Sequence, residues 1–277
     1  MTMERGLPQT APAARTAPRD VLHRIGYEMF RGRLRGTVSI VGGLAVWELI
    51  SRVLVNNALF LAAPTQIIAA VFKLAASGEL EHHMAISGIE FLIGYVVASV
   101  LGIALGVGMA GSTTIKQMAQ PWVSGLYATP TIALAPLFIL WLGIGIWSKV
   151  IVVVTLVLFP VTINTEAGLR TTSERLIEML RSFGASRQQI FWKLSLPSAS
   201  PFVLAGLKLG IGRGLIGVVV AELFGSRAGL GRLISQSADS FNMPELFAGV
   251  VILAVAGIVM TAGFSWLEAR LVPWTKD

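Results

Sequence analysis

Two groups of residues in this 277-residue chain have the types and the spacing to do chemical or mechanical work. The first is polar and lies inside long apolar runs. Arg213 stands in GLKLGIGRGLIGVVVAEL, between Lys208 and Glu222, and Thr129-Pro130-Thr131, followed by Pro136, interrupts a second apolar run. A guanidinium carries a fixed fork of N–H donors and cannot shed its charge, so at depth Arg213 either holds an anion or pairs with a neighbouring glutamate. Ionisable groups at such depth are functional candidates by default. The two prolines free backbone groups that need local partners or water, which suits either the lining of a path or a structural kink. Thr129, Pro130, Thr131, Arg213 and Glu222 are therefore the candidate path residues. Glu90 lies in the outer part of another apolar run, and Glu48 and Arg52, one helical turn apart, are expected to satisfy each other.

The second group is the charged stretch IEMLRSFGASRQQIFWKLSLPSASP, residues 177–201. It reads as two short helices. Thr171-x-x-Glu174 is a capping box for the first, Gly184 suits a left-handed stop, Ser186-x-x-Gln189 is a capping box for the second, and Pro197 closes it. Leu176, Ile177, Leu180 and Phe183, then Ile190, Phe191 and Leu194, form apolar stripes beside polar Arg181, Arg187, Gln188 and Lys193. Such a hairpin lies on a bilayer surface or enters a groove on a partner.

The surrounding chain must be lipid-embedded. It is 54% hydrophobic and 13% charged, with a mean hydropathy of +0.73, against about 25% charged for a soluble domain. The net charge of +7 does not point to nucleic acid, because the arginines sit beside apolar spans and are not interleaved with exposed aromatics. Cysteine is absent and the only histidines are His23, His82 and His83. Adjacent His82 and His83 point apart on a helix, which disfavours a metal site. The sequence has no G-x-x-x-x-G-K-[ST], H-E-x-x-H or G-x-S-x-G, so neither phosphate cradling nor hydrolytic chemistry is expected of this chain.

Six apolar runs are long enough to cross about 30 Å of hydrocarbon as helices: about 36–55, 84–110, 121–142, 147–165, 200–224 and 246–266, the third and fourth divided at Gly143-Ile144-Gly145. Six crossings put both termini on one side. With the N-terminus inside, the outer segments hold only Lys73, Lys149, Arg227 and Arg232, while the arginine-rich tail and residues 166–199 lie inside, as cationic loops require. The first span follows a long basic tail and lacks a convincing cleavage site, so it reads as a retained anchor. The first twenty residues are Pro/Ala-rich and expected to be disordered. Within residues 1–35, Leu22, Ile25, Met29 and Phe30 share a face that suits an interfacial helix. A further helix is expected after Pro64, ending near Gly78, on the outer side. Residues 272–277 form a C-terminal tail, and no internal repeat is visible.

The spacing Glu178-Met179-Leu180, Gly184, Leu194, Leu196-Pro197 resembles the EAA loop of ABC-transporter permeases, with Met-Leu for Ala-Ala and Leu for Ile. TPTIALAPLFILWLGIG from Thr129, FPVTINTEAGLR from Phe159 and VVVAELFGSRAGLGRLI from Val218 are similar to signatures of the branch that includes aliphatic sulfonate, taurine and nitrate permeases. The resemblance covers about residues 36–271. It implies an all-α integral membrane fold, six spans with N-in/C-in topology, and type I ABC importer permease architecture. It further implies a homodimer in the bacterial inner (plasma) membrane, working by alternating access with a separate ATP-binding cassette ATPase and a periplasmic or extracellular substrate-binding protein. ATP and Mg belong to the ATPase, and no cofactor is expected on this chain. In the loop, the resemblance implies ATPase-coupling roles for Glu178, Leu180, Phe183, Gly184, Ala185, Leu196 and Pro197. The implied cargo is a small anion such as a sulfonate, taurine, nitrate or carboxylate. Two rivals from other classes are an ion-coupled secondary transporter, for which Glu90 and Glu222 lie poorly placed near one face, and a membrane enzyme, which lacks a nucleophile or metal cluster.

Overall fold

The computed structural model describes the backbone of residues 18–57 and 59–273, and side chains from residue 34 onward within them. Most of the tail expected to be disordered, the side chains of the expected interfacial face, and residues 274–277 lie outside the described residues.

The described residues up to Asn56 form one unit. Its helix, α1 (Pro18–Leu49), starts well before the expected position 36, because no proline follows Pro18 in the apolar run or the basic segment before it. It continues through a π-helical turn, Ile50–Val55, and stops at left-handed Asn56. Its apolar part, Leu34–Val55, is long enough to cross a membrane. The expected Glu48–Arg52 ion pair is present.

Residues 57–277 form the second unit. It contains α2 (Pro64–Ala76), α3 (Glu79–Gly111), α4 (Thr113–Ala128), a short 3₁₀ turn (Thr131–Leu134), α5 (Ala135–Leu142), α6 (Ile146–Arg170), α7 (Glu174–Ser182), α8 (Arg187–Ile190), a π-helical turn (Phe191–Ser195), α9 (Leu196–Gly225), α10 (Leu230–Asp239) and α11 (Met243–Leu271). No strand occurs among the described residues.

Helix α6 is the centre, packed between α3 and α9. Its Val150, Val153, Val157 and Val161 are buried against Phe91 and Ala98 of α3 and Ile211 and Val218 of α9. Close approach is possible because glycines face it from both sides. A Cβ on Gly106 of α3 would lie 2.7 Å from the Thr162 carbonyl oxygen, and one on Gly206 of α9 would lie 2.8 Å from the Asn164 Cβ. The four-residue glycine repeats of α3 and α9 are thus explained by packing within one chain.

The third apolar run is not one continuous span. It is a bent pair, Thr113–Ala128 and Thr131–Leu142, meeting at 86°. Pro130 has no N–H to give and forces the residue before it out of the helical region; Thr129 is extended at φ −73°, ψ 135°. Together with this pair, the five long apolar helices provide six candidate crossings.

Candidate translocation path and coupling hairpin

Where α4 breaks, a cavity of about 270 Å³ opens, lined by Tyr127, Thr129, Pro130 and Thr131 on one side and by Arg213 of α9 on another. Thr155, Leu156 and Phe159 of α6 complete its wall. Four of the five path residues expected from the sequence are therefore brought together, although Arg213 lies more than eighty positions from the threonines. Thr129 Oγ1 donates to the Gly125 carbonyl at 2.8 Å and Thr155 Oγ1 to the Val152 carbonyl at 2.9 Å, so both hydroxyl protons are taken up within their own helices.

Arg213 does not pair with a glutamate among the described residues. Its Nη2 donates to the Tyr127 hydroxyl at 3.4 Å, and its Cζ lies 5.5 Å from the centre of the same ring. The expected carboxylates are engaged elsewhere. Glu90 meets Lys149 at 3.4 Å, both side chains being almost wholly buried. Glu222 does not line the cavity and is only 1% exposed. Its Oε1 accepts Ser87 Oγ–H at 2.5 Å and its Oε2 accepts the Gly231 N–H at 2.6 Å. Ser87 Oγ in turn accepts the Leu230 N–H at 2.8 Å, and His83 Nδ1 accepts the Gly229 N–H at 2.9 Å. Glu222, Ser87 and His83 thus answer the first N–H groups of α10, which no intrahelical carbonyl can reach. Gly229, at φ +120°, makes room for the carboxylate: a Cβ there would overlap Glu222 Oε1.

The charged stretch after α6 folds as a hairpin, with two departures from expectation. Thr171 does not cap α7. It closes the C-terminal end of α6, its hydroxyl donating to the Gly168 carbonyl, and Ser173 precedes α7 without a side-chain cap. Nor does Pro197 close the second helix. The π-helical turn over Phe191–Ser195 shifts the hydrogen-bond register, and Pro197 falls in the first turn of α9, where a missing N–H is tolerated. Residues Arg187–Gly225 therefore run on as one helical rod.

The tip follows the expected pattern. Gly184, at φ +79°, donates to the Arg181 carbonyl at 2.9 Å, and Ala185 donates to the Leu180 carbonyl at 3.0 Å. This paired arrangement is the Schellman motif. Ser186 and Gln189 form the expected reciprocal capping box. Phe183, at the apex, is 81% exposed, with Met179 and Trp192 also exposed. Glu178 is exposed, Leu180 and Ala185 are half-buried, and Leu196 and Pro197 are half-buried at the root of α9. Behind the hairpin, Glu166 of α6 holds Lys116 of α4 at 2.8 Å and Arg170 at 2.9 Å.

Sequence reasoning missed Tyr127, Thr155, Phe159 and the Glu166–Lys116 pair. Tyr127 had one available signal: an amphipathic ring three residues before the proline break at Pro130, where an exposed polar tip can serve backbone groups freed by the break.

The family described as "Binding-protein-dependent transport system inner membrane component" matches residues 98–277. The chain is 34% identical over 272 residues to the putative aliphatic sulfonates transport permease protein SsuC of Bacillus subtilis, covering 98% of this chain and 96% of that one. It is 35% identical to the formylaminopyrimidine transport permease protein ThiX of Halalkalibacterium halodurans, over 84% of this chain and 92% of that protein. With the taurine transport system permease protein TauC of Escherichia coli the identity is 29%, over 86% and 88%. Among solved structures, a chain of the inward-facing MetNI methionine ABC transporter shares the fold, with a TM-score of 0.55 at 20% identity, over 74% of this chain and 98% of that one.

Proposed function

This chain belongs to the family of binding-protein-dependent transport system inner membrane components, and from that membership we propose that it carries a small anionic solute across the bacterial inner membrane. It is a multi-pass ABC permease subunit with the type I importer fold. The cargo reading is a sulfonate, taurine or a related anion. It rests on Arg213, whose charge is answered by no carboxylate among the described residues and faces a cavity in the broken span. The names of SsuC and TauC agree with that reading, whereas the name of ThiX points to a different solute for that protein.

Two copies of the chain pair to enclose the path. The hairpin over residues 166–199 seats in a groove on a separate ATPase. Phe183 and Leu180 supply apolar contact, Glu178 supplies polar contact at the rim, and the left-handed Gly184 brings the backbone of Ala185 to the closest point. ATP and Mg are bound by that partner, ATP hydrolysis takes place there, and this chain performs no covalent chemistry. A periplasmic or extracellular binding protein delivers the cargo from the other face.

The observation that supports the coupling assignment is the Schellman tip with Phe183 displayed at its apex beside exposed Met179 and Trp192, since apolar side chains grouped in the open mark a contact surface. The chain contains no cysteine, so Ala185→Cys gives a unique label site. Labelling from the cytoplasmic side that is blocked when the ATPase is bound is the expected result; labelling from outside intact cells would overturn the assignment. For the cargo, proteoliposomes holding the permease, its ATPase and its binding protein should accumulate taurine or a short alkanesulfonate only with ATP. Accumulation of a formylaminopyrimidine and of no sulfonate would replace that reading.

A further inference from the structure

We infer that Tyr127 and Arg213 together form an anion-reading pair, and that the cavity they line accepts the charged head and short apolar tail of an amphiphilic small anion. The inference rests on the cargo reading above and goes beyond it by naming a specificity residue and the way charge is read.

Few side-chain protons in the cavity are free to be given to a ligand. The hydroxyls of Thr129 and Thr155 are committed to carbonyls of their own helices. Beside Thr131, the lining side chains with protons still to give are the Arg213 guanidinium and the Tyr127 phenol, and no carboxylate lines the cavity. The hydrogen bond between them runs from Arg213 Nη2 to the Tyr127 oxygen. The phenol therefore accepts from a cation with its lone pair and keeps its own O–H to donate. Accepting from a charged donor polarises that O–H, so the next bond it makes is strengthened. A guanidinium edge and a polarised hydroxyl, side by side, match two oxygens of one sulfonate or carboxylate, and charge-assisted bonds of this kind are the strong ones. At 3.4 Å the bond is long, so the polarisation is modest, and the guanidinium keeps its other N–H groups for the anion. The rest of the lining is mostly apolar, with Pro130, Ile132, Leu156 and Phe159, and suits a short alkyl tail. The ring of Tyr127 also lies within cation–π reach of the guanidinium, which holds the fork in position while the cavity is empty. Tyr127 is thus a positioning residue for Arg213 as well as a donor of its own.

The test uses the permease–ATPase complex in nanodiscs without the binding protein, so that binding reports on this cavity alone. The probe is trifluoromethanesulfonate, followed by fluorine NMR, with methyl trifluoromethyl sulfone as the uncharged counterpart and empty nanodiscs as the blank. The wild-type complex should bind the sulfonate and not the sulfone. Tyr127→Phe keeps the ring and removes the donor, and should weaken sulfonate binding about tenfold, the scale of one hydrogen bond to a charged group. Tyr127→Leu removes both and should weaken it further, and Arg213→Lys should lose at least tenfold because a point charge cannot replace the fork. Equal sulfonate and sulfone binding, or unchanged binding in Arg213→Lys, overturns the pair. Loss in Arg213→Lys with wild-type binding in both Tyr127 variants overturns the role of Tyr127. A complex that moves sulfonate in proteoliposomes but binds none here refutes this inference and leaves the cargo reading standing; selective binding without ATP-driven sulfonate uptake supports the pair and refutes the cargo reading.

Discussion

Replacing Lys149 by Met should be the most damaging single change in the central bundle that leaves its volume nearly intact. Lys149 lies in the first turn of α6, and its Nζ is 3.4 Å from Glu90 Oε1 of α3, with side chains 5% and 4% exposed. At that distance and an effective dielectric of about 20 the attraction is about 5 kcal/mol. Removing one member of a buried pair, which strands the other charge, costs about 3–5 kcal/mol. Glu90 Oε2 has no hydrogen-bond partner. For a unit of this size about 2–4 °C is lost per kcal/mol. The expectation is therefore a fall of roughly 6–20 °C in the apparent Tm of Lys149→Met, read by fluorescence-detected size exclusion after heating. The double variant Lys149→Met, Glu90→Leu carries no stranded charge and should return to within a few degrees of the wild type. A single variant as stable as the wild type, or a double variant as unstable as the single, would refute the reasoning: the first result would mean that the pair is not buried from water, the second that the loss is one of packing.

Three other outcomes are expected. Gly184→Leu meets open space in the isolated chain, where no atom would lie within 4 Å of an added Cβ, but must hold φ +79°, at a cost of about 1–2 kcal/mol; it should insert normally yet recover far less ATPase in a pull-down, and unchanged recovery counts against docking at the tip. Gly229→Ala, at φ +120° and with its new methyl overlapping Glu222 Oε1, should lose about 2–5 kcal/mol from backbone strain and a displaced buried hydrogen bond, checked by the same heating assay, with a wild-type Tm as the contrary result. Glu166→Gln weakens the tie to Lys116 at one end of α4, whose other end, about 16 Å away at 1.5 Å per residue, carries Tyr127; assembly should persist while solute moved per ATP hydrolysed falls, and an unchanged ratio would mean that α4 does not transmit hairpin motion.

The parts of this fold legible in the sequence are those set by a local rule. The hairpin tip is one. Gly184, followed by Ser186-x-x-Gln189, is a stop and a start written within six residues, and both form as read. The apolar runs are another, because their lengths are dictated by bilayer thickness and need no knowledge of neighbours. What could not be read is who faces whom. Arg213 and Glu222 share a helix and an apolar setting, and composition treats them alike. Their fates divide because α9 turns one toward the cavity in the broken span and the other toward Ser87 of α3 and the glycines that open α10. Lys149 and Glu90 likewise become partners only when α3 packs on α6.

Proline shows most clearly where local reading stops. Pro121, Pro160 and Pro201 lie inside helices, Pro197 falls in a first turn, and Pro130 breaks its span. All five lack the same N–H, so the residue type cannot decide the outcome. In a bilayer the freed carbonyl must still find a donor, and what differs is who supplies it. At Pro130 the donors come from the break itself. The Thr129 N–H reaches both the Gly125 and the Leu126 carbonyls, at 3.1 and 3.3 Å, and the Thr129 hydroxyl reaches Gly125 again. The end of α4 is thus closed by one residue, and the chain is free to turn by 86° without leaving those carbonyls bare. At Pro160 the freed carbonyl is that of Leu156, and the helix stays continuous there because it is clamped by α3 and α9. At Pro130 the preceding threonine closes the helix end and the chain breaks, whereas at Pro160 the helices packed on either side keep the helix unbroken. That distinction places the cavity at Thr129–Thr131 and not elsewhere along the apolar runs. It also implies that the hydroxyl of Thr129 serves the shape of the cavity, leaving Arg213 and Tyr127 as the pair proposed above to read charge.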